Sequence, residues 1–384
     1  MINRLNEALY GARHSAIRSF SNLAGKTPGC VSLTLGEPDF DTPGEIEKEV
    51  SEAFANHETH YIANNGTLAL REKIAAYENA KNGHSYTSDN VIVTDGAEEG
   101  IFLSLFSILN PDDEVIIPVP SFVVYQEITK LCRAKAVFLD TSEDHFQINE
   151  AKLNALINGH TKAIILNTPN NPTGCILNEA SLQAVHDAVK GKEIFVLADD
   201  VYQQLVYTNQ CHSFTEYEDL KDQIILIQSF SKPYAMTGWR MGYVCMNERL
   251  RERMELVHQF MVTSTPAPFQ RAAMKALDYD PEPFLNVYRK RRKFMLERLE
   301  EIGLDTVEPQ GAFYVFPSIQ RFGLSSDEFC TRMIQEVKLA ATPGSAFGND
   351  DHIRLTYCYS DEELAEGMKR LETFVKKLRK EGRG

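Results

Sequence analysis

Six short apolar runs constrain this chain more than anything else in it. They fall at residues 90–94, 114–118, 136–139, 162–167, 194–199 and 223–227, and Val, Ile and Leu dominate them. Between most of them lie amphipathic stretches, at 96–109, 122–132 and 179–189. Strands of that composition separated by helices predict a mostly parallel sheet covered on both faces. The expected fold class is therefore α/β, with a large three-layer domain. Ligands of such a sheet gather at the carboxyl ends of its strands.

The last third reads differently. Pro266 and Pro268 break the helical pattern that follows Asn247, and a long helical run spans 283–302. Two short strands are expected at 305–308 and 312–316, a helix near 327–337, and a strand at 354–358. A final helix begins at Ser360, with Glu363 three residues on as a capping box. Leu364, Met368, Leu371, Val375 and Leu378 form its apolar stripe. This is the pattern of a second, smaller α+β domain, and 384 residues suit two domains. The basic tail at 376–384 is expected to fray.

A net charge of −14 argues against a nucleic-acid partner and against a polybasic membrane contact. No apolar run approaches the length of a membrane span, and residues 1–6 lack the apolar core of a signal peptide. The seven cysteines are scattered, odd in number and without C-x-x-C spacing. Neither a disulfide framework nor a metal site is expected, and free thiols in a reducing cytoplasm are the default.

The chemistry centres on residues 229–243, Ser-Phe-Ser-Lys-Pro-Tyr-Ala-Met-Thr-Gly-Trp-Arg-Met-Gly-Tyr. Lys232 sits between small hydroxyl residues, Ser229 and Ser231 among them, with Arg240 eight positions on. That set suits pyridoxal 5′-phosphate. The amine can form a Schiff base with the cofactor aldehyde, and the hydroxyls and guanidinium can hold its phosphate. The whole string resembles the lysine signature of class I/II aminotransferases. Residues 167–174, Asn-Thr-Pro-Asn-Asn-Pro-Thr-Gly, directly follow a strand pattern and are similar to a second motif of that family. Their Asn171 amide can donate to the cofactor phenolate and to a substrate carboxylate.

Further matches keep the family's order along the chain. Asp199 ends a strand pattern three residues before Tyr202, matching the D-x-x-Y element. A carboxylate there keeps the pyridine nitrogen protonated, and Tyr202 can share the phenolate with Asn171. Gly96, Ala97 and Glu98 join a strand to a helix, where backbone N–H groups and the helix dipole can bind phosphate. Phe122 falls where the family stacks an aromatic on the cofactor ring. Arg354 lies among apolar neighbours, needs an anion, and occupies the place of the substrate-carboxylate arginine. Gly36, opening Gly-Glu-Pro-Asp-Phe, resembles the loop that closes over substrate. Tyr61 resembles the tyrosine lent to the phosphate of a neighbouring subunit.

The resemblance implies a PLP-dependent transferase of fold type I, in the branch of aspartate, aromatic and N-acetyl-diaminopimelate aminotransferases. It implies a large cofactor-binding domain at 43–279 and a discontinuous small domain at 1–42 and 280–384. It also implies a cytoplasmic homodimer whose substrates are an L-amino acid and a 2-oxo acid. The mechanism would be ping-pong, with 2-oxoglutarate the expected acceptor. Glu98 stands where some relatives carry a lysine, and no Arg or Lys for a distal carboxylate is apparent, which argues against strict aspartate specificity. Two alternatives share the cofactor residues. One is a C–S β-lyase. The other is a non-catalytic regulator, which needs a DNA-binding module; only about thirty residues precede the strand at 32–35, too few for a helix-turn-helix domain.

Overall fold

The computed structural model describes residues 6–10, 15–208 and 211–384. Residues 1–5, within the stretch read above for a signal peptide, lie outside the described residues. The strands are β1 (Val31–Ser32), β2 (Val91–Thr94), β3 (Glu114–Val119), β4 (Lys135–Asp140), β5 (Thr161–Asn167), β6 (Phe195–Asp199), β7 (Ile224–Ser229) and β8 (Gly242–Cys245). Four short strands follow: β9 (Tyr314–Val315), β10 (Leu339–Ala340), β11 (Thr342–Pro343) and β12 (Ile353–Thr356).

Strands β2 to β8 form one sheet in the order β2-β8-β7-β6-β5-β3-β4. β4, β3, β5, β6 and β7 run parallel, as the apolar runs predict. β8 is antiparallel to both β7 and β2 and wedges between them. No run was read there, because Gly242–Cys245 is only four residues long and opens on a glycine.

The helices are α1 (Ala16–Lys26), α2 (Gly44–Ala55), α3 (Leu68–Asn82), α4 (Ala97–Ile108), α5 (Val124–Leu131), α6 (Glu150–Leu156) and α7 (Glu179–Val189). After them come α8 (Glu248–Val262), α9 (Ala267–Ala276), α10 (Glu282–Ile302), α11 (Ser326–Val337) and α12 (Asp361–Lys380). Side-chain alternation along each strand builds the layers. Ile117, Ile165, Leu197 and Ile225 pack under α4, α5 and α8. Ile116, Ile164, Val196 and Ile224 point the other way, onto α6 and α7. Leu226 and Tyr243 continue that second face against α2, α3 and α9.

The last third packs around α10, α11 and α12. A small antiparallel sheet, β11-β12-β9, and the parallel pair β1-β10 complete it. All five residues of the predicted α12 stripe are buried, and the Ser360–Glu363 capping box is present.

Two expectations fail here. The segment 305–308 is not a strand: Arg292 of α10 takes the Glu308 carboxylate and the Pro309 carbonyl, and the proline ends the run before it meets a partner. The basic tail is not frayed. α12 continues to Lys380 because Leu378 is buried, and Arg379 and Arg383 donate to the carbonyls of Ile302 (2.8 Å) and Phe322 (3.2 Å).

Candidate active site

Parallel pairing sets the carboxyl ends of β5, β6 and β7 side by side, with Asn167 opposite Asp199 and Asp199 opposite Ile227. The candidate residues project from that edge. Asp199 ends β6 and is 3% exposed. Tyr125 Oη donates to its Oδ2 at 2.5 Å, and the Val201 amide points at Oδ1 from 3.4 Å. Burial pushes the carboxyl up to about 6, and the tyrosine hydrogen bond partly counters that. The adjacent Asp200 takes a different environment: it accepts from Ser213 Oγ at 2.5 Å, and burial pushes it to about 7.

Lys232 follows β7. Its Nζ donates to the Gly36 carbonyl at 2.7 Å, and no carboxylate lies within ion-pair distance of it among the described residues. Desolvation holds its pKa below that of an ordinary lysine. Gly36 is confined in turn, since a Cβ there would collide with Tyr314 Oη.

Arg354, in β12, is 1% exposed. It donates to Asn171 Oδ1 at 2.8 Å and to the Thr34 carbonyl. The rings of Tyr314 and Phe347 stand 4.7 and 4.8 Å from its guanidinium carbon. Its Nε is buried and has no hydrogen-bond partner, and no described carboxylate pairs with it. A buried guanidinium without an anion is costly unless a ligand supplies one. Tyr202 belongs to the same cluster, because its Oη meets Tyr314 Oη at 2.7 Å.

The wedged β8 builds the third part of the site. Gly242 lies opposite Thr94 on one side and Ser229 on the other. That row presses Gly242 onto the entry to α4: a Cβ on Gly242 would stand 2.8 Å from the Gly96 carbonyl carbon. Gly96 caps α4 with φ +79°, and a Cβ there would collide with the Arg240 guanidinium. Arg240 donates to the carbonyls of Thr237 (3.0 Å) and Asp95 (3.2 Å) and pairs with no described carboxylate. Helix N-terminus, close glycine and free guanidinium together form an anion cradle. Ser229 borders it, its Oγ accepting from the Ser231 amide at 3.1 Å. Ala97 and Glu98 open α4, and Glu98 is exposed.

Phe122 stands edge-on to Tyr125 with ring centroids 6.1 Å apart, which ties it to the Asp199 part of the site. Tyr61 is 88% exposed and stands apart from these residues in the single chain. Tyr125 and Tyr314 were not singled out from the sequence. Tyr125 lies on the buried face of the amphipathic α5 and Tyr314 in the buried β9, and no local signal separates either from a core residue.

The whole chain has close relatives. The sequence profile for aminotransferase class I and II matches residues 28–371. The chain belongs to the class I and II aminotransferases. A probable N-acetyl-LL-diaminopimelate aminotransferase of Bacillus subtilis is 36% identical over 95% of this chain and 94% of that protein. An aspartate aminotransferase of Pyrococcus horikoshii is 35% identical over 94% of each. Among solved structures, the aspartate aminotransferase of Thermotoga maritima superposes with a TM-score of 0.93 at 31% identity, covering 97% of this chain and all of that one. As a class I and II aminotransferase, the protein is an enzyme that moves an amino group from an amino acid to a 2-oxo acid.

Proposed function

We propose that this aminotransferase works with pyridoxal 5′-phosphate, bound covalently at Lys232. What supports the reading is a pair of guanidinium groups, Arg240 and Arg354, that lack carboxylate partners and reach the edge carrying Lys232 and Asp199. One borders the close approach of Gly96 at the start of α4, and the other keeps an orphaned buried Nε. When bound, the cofactor supplies an aldehyde and an electron-withdrawing ring that stabilises negative charge at the substrate α-carbon.

The remaining work falls to the chain. The backbone of Gly96, Ala97 and Glu98, with Ser229 and Arg240, holds the phosphate. Asp199 holds a proton on the ring nitrogen, and Tyr125 keeps the carboxylate oriented. Asn171 and Tyr202 take the phenolate oxygen, and Phe122 flanks the ring. Arg354 grips the substrate α-carboxylate bidentately, with Asn171 beside it and Gly36 closing the opposite wall. Lys232, its proton affinity reduced by burial, takes the substrate α-proton as general base and gives it up again as general acid.

Tyr61 serves the phosphate of a second copy, which makes the enzyme a homodimer with two shared sites. We place the division between a large and a small domain at 43–279 against 1–42 with 280–384. The seven free cysteines fit a reducing cytoplasm, and no helix among the described residues is long and apolar enough to cross a membrane. The test is a panel of L-amino acids incubated with the holoenzyme and 2-oxoglutarate. At least one donor is expected to yield its 2-oxo acid and glutamate in equal amounts. Release of pyruvate with sulfide from cysteine, or of pyruvate with homocysteine from cystathionine, with no glutamate formed from any donor, would replace this reading with a lyase.

A further inference from the structure

A second cavity lies at the opposite end of the central sheet. It occupies about 170 Å³ where β2 and β7 begin and β8 ends. That is room for several waters or one small organic ion. β7 alone spans six residues, so roughly 20 Å of strand separates this cavity from the Lys232 edge. A ligand there cannot touch the reacting groups.

His84 makes the cavity more than a dent. Its side chain is 3% exposed, and its Nε2 is buried without a hydrogen-bond partner. Nδ1 faces Glu218, 3.8 Å from Oε1, and burial holds the ring's pKa below that of an ordinary histidine against the pull of that carboxylate. A neutral imidazole that turns its N–H toward a carboxylate leaves the other nitrogen as a bare acceptor. That nitrogen therefore calls for a donor. The amide side chains in the wall are not free to provide one: Asn90 Nδ2 donates to the Met246 carbonyl at 2.9 Å, and Asn247 Nδ2 to the Asp222 carbonyl at 2.7 Å.

The charge around it has one sign in excess. Glu218, Asp222 and Glu248 line the cavity, against Lys221 alone. No ion pair joins Lys221, Asp222 or Glu248 to another described residue, so the lining carboxylates outnumber the ammonium by two. An acceptor nitrogen without a partner, and an excess of carboxylates in the same lining, select a donor-bearing cation.

We propose that this cavity is a binding site for a small aliphatic ammonium ion, whose N–H is received by His84 Nε2 and whose charge is met by Glu218 and its neighbours. The site is distinct from the amino-acid site and does not rest on the cofactor reading. The probe must not condense with an aldehyde, so N,N-dimethylpropylamine, a tertiary amine protonated at neutral pH, is the reagent. Calorimetry and ligand-observed NMR on the holoenzyme should show saturable binding of one equivalent per chain. His84→Phe should weaken it at least tenfold while kcat/KM for transamination stays unchanged. Glu218→Gln should weaken it severalfold, which keeps the test valid if the first variant folds poorly. The trimethylpropylammonium ion, which has the charge but no N–H, should bind about tenfold more weakly than the tertiary amine. No saturable binding, binding indifferent to both substitutions, or equal affinity for the two cations would overturn the proposal.

Discussion

Replacing Tyr125 by phenylalanine removes one oxygen from the neighbourhood of a buried carboxylate. In the wild type, Tyr125 Oη donates to Asp199 Oδ2 at 2.5 Å, and both residues are almost wholly enclosed. A hydrogen bond to a charged group contributes about 1.5–3 kcal/mol. It stabilises only the ionised carboxyl, so at 1.36 kcal/mol per pKa unit its loss raises the Asp199 pKa by about one to two pH units. The starting point is about 6. The carboxyl is ionised above its pKa, so its hold on a protonated ring nitrogen is lost as pH falls through that value. Apoenzyme binding of pyridoxal 5′-phosphate should therefore weaken below about pH 6 in the wild type, and below about 7–8 in Tyr125→Phe. The two should converge at higher pH, where both carboxyls are ionised. The cofactor phosphate titrates alike in both experiments and cancels in the ratio. Fluorescence titration of apoenzyme between pH 5.5 and 9, beside a thermal melt to confirm folding, measures it. An acid limb at the same pH in both proteins, or a loss equal at every pH, would refute the role given to Tyr125.

Arg354→Leu should lower kcat/KM for amino and 2-oxo acid by about 100-fold, the loss expected for one partner of a buried charge pair, while the cofactor absorbance is retained. Gly96→Ala forces a side chain into a conformation at φ +79° and onto Arg240. It should cost about 1–3 kcal/mol and weaken cofactor binding at least tenfold, read by equilibrium dialysis. Mixing Lys232→Ala with an inactivating Tyr61 variant should restore part of the activity as subunits exchange. No recovery despite proven exchange, or a monomer by light scattering, would remove the shared-site dimer.

Much of this architecture is legible along the chain because parallel strands must be apolar on both faces. Residues 114–118, 162–167 and 194–199 read as strands for that reason, and each matches an observed element within two residues. The antiparallel β8 was not legible. A Cβ on its Gly242 would press onto Gly96 and the Gln228 carbonyl, so close backbone packing overrides strand propensity there. The segment 305–308 misled in the opposite direction, since its short pattern says nothing of Arg292 arriving from α10. At the candidate site, Lys232, Asn171, Asp199 and Arg354 could be proposed from sequence because the patterns around them are local. Tyr125 and Tyr314 act on them across 74 and 40 residues of chain, through contacts that only folding creates. The Gly36 carbonyl that receives Lys232 is likewise 196 residues away.

The central claim is that Lys232 anchors the cofactor, and one measurement tests it most directly. Holoenzyme reduced with borohydride is digested and the labelled peptide is sequenced by mass spectrometry. The label should sit on Lys232 alone, and Lys232→Ala should give no covalently labelled peptide and no transamination. A label on another lysine, or one that persists in the variant, would contradict the account.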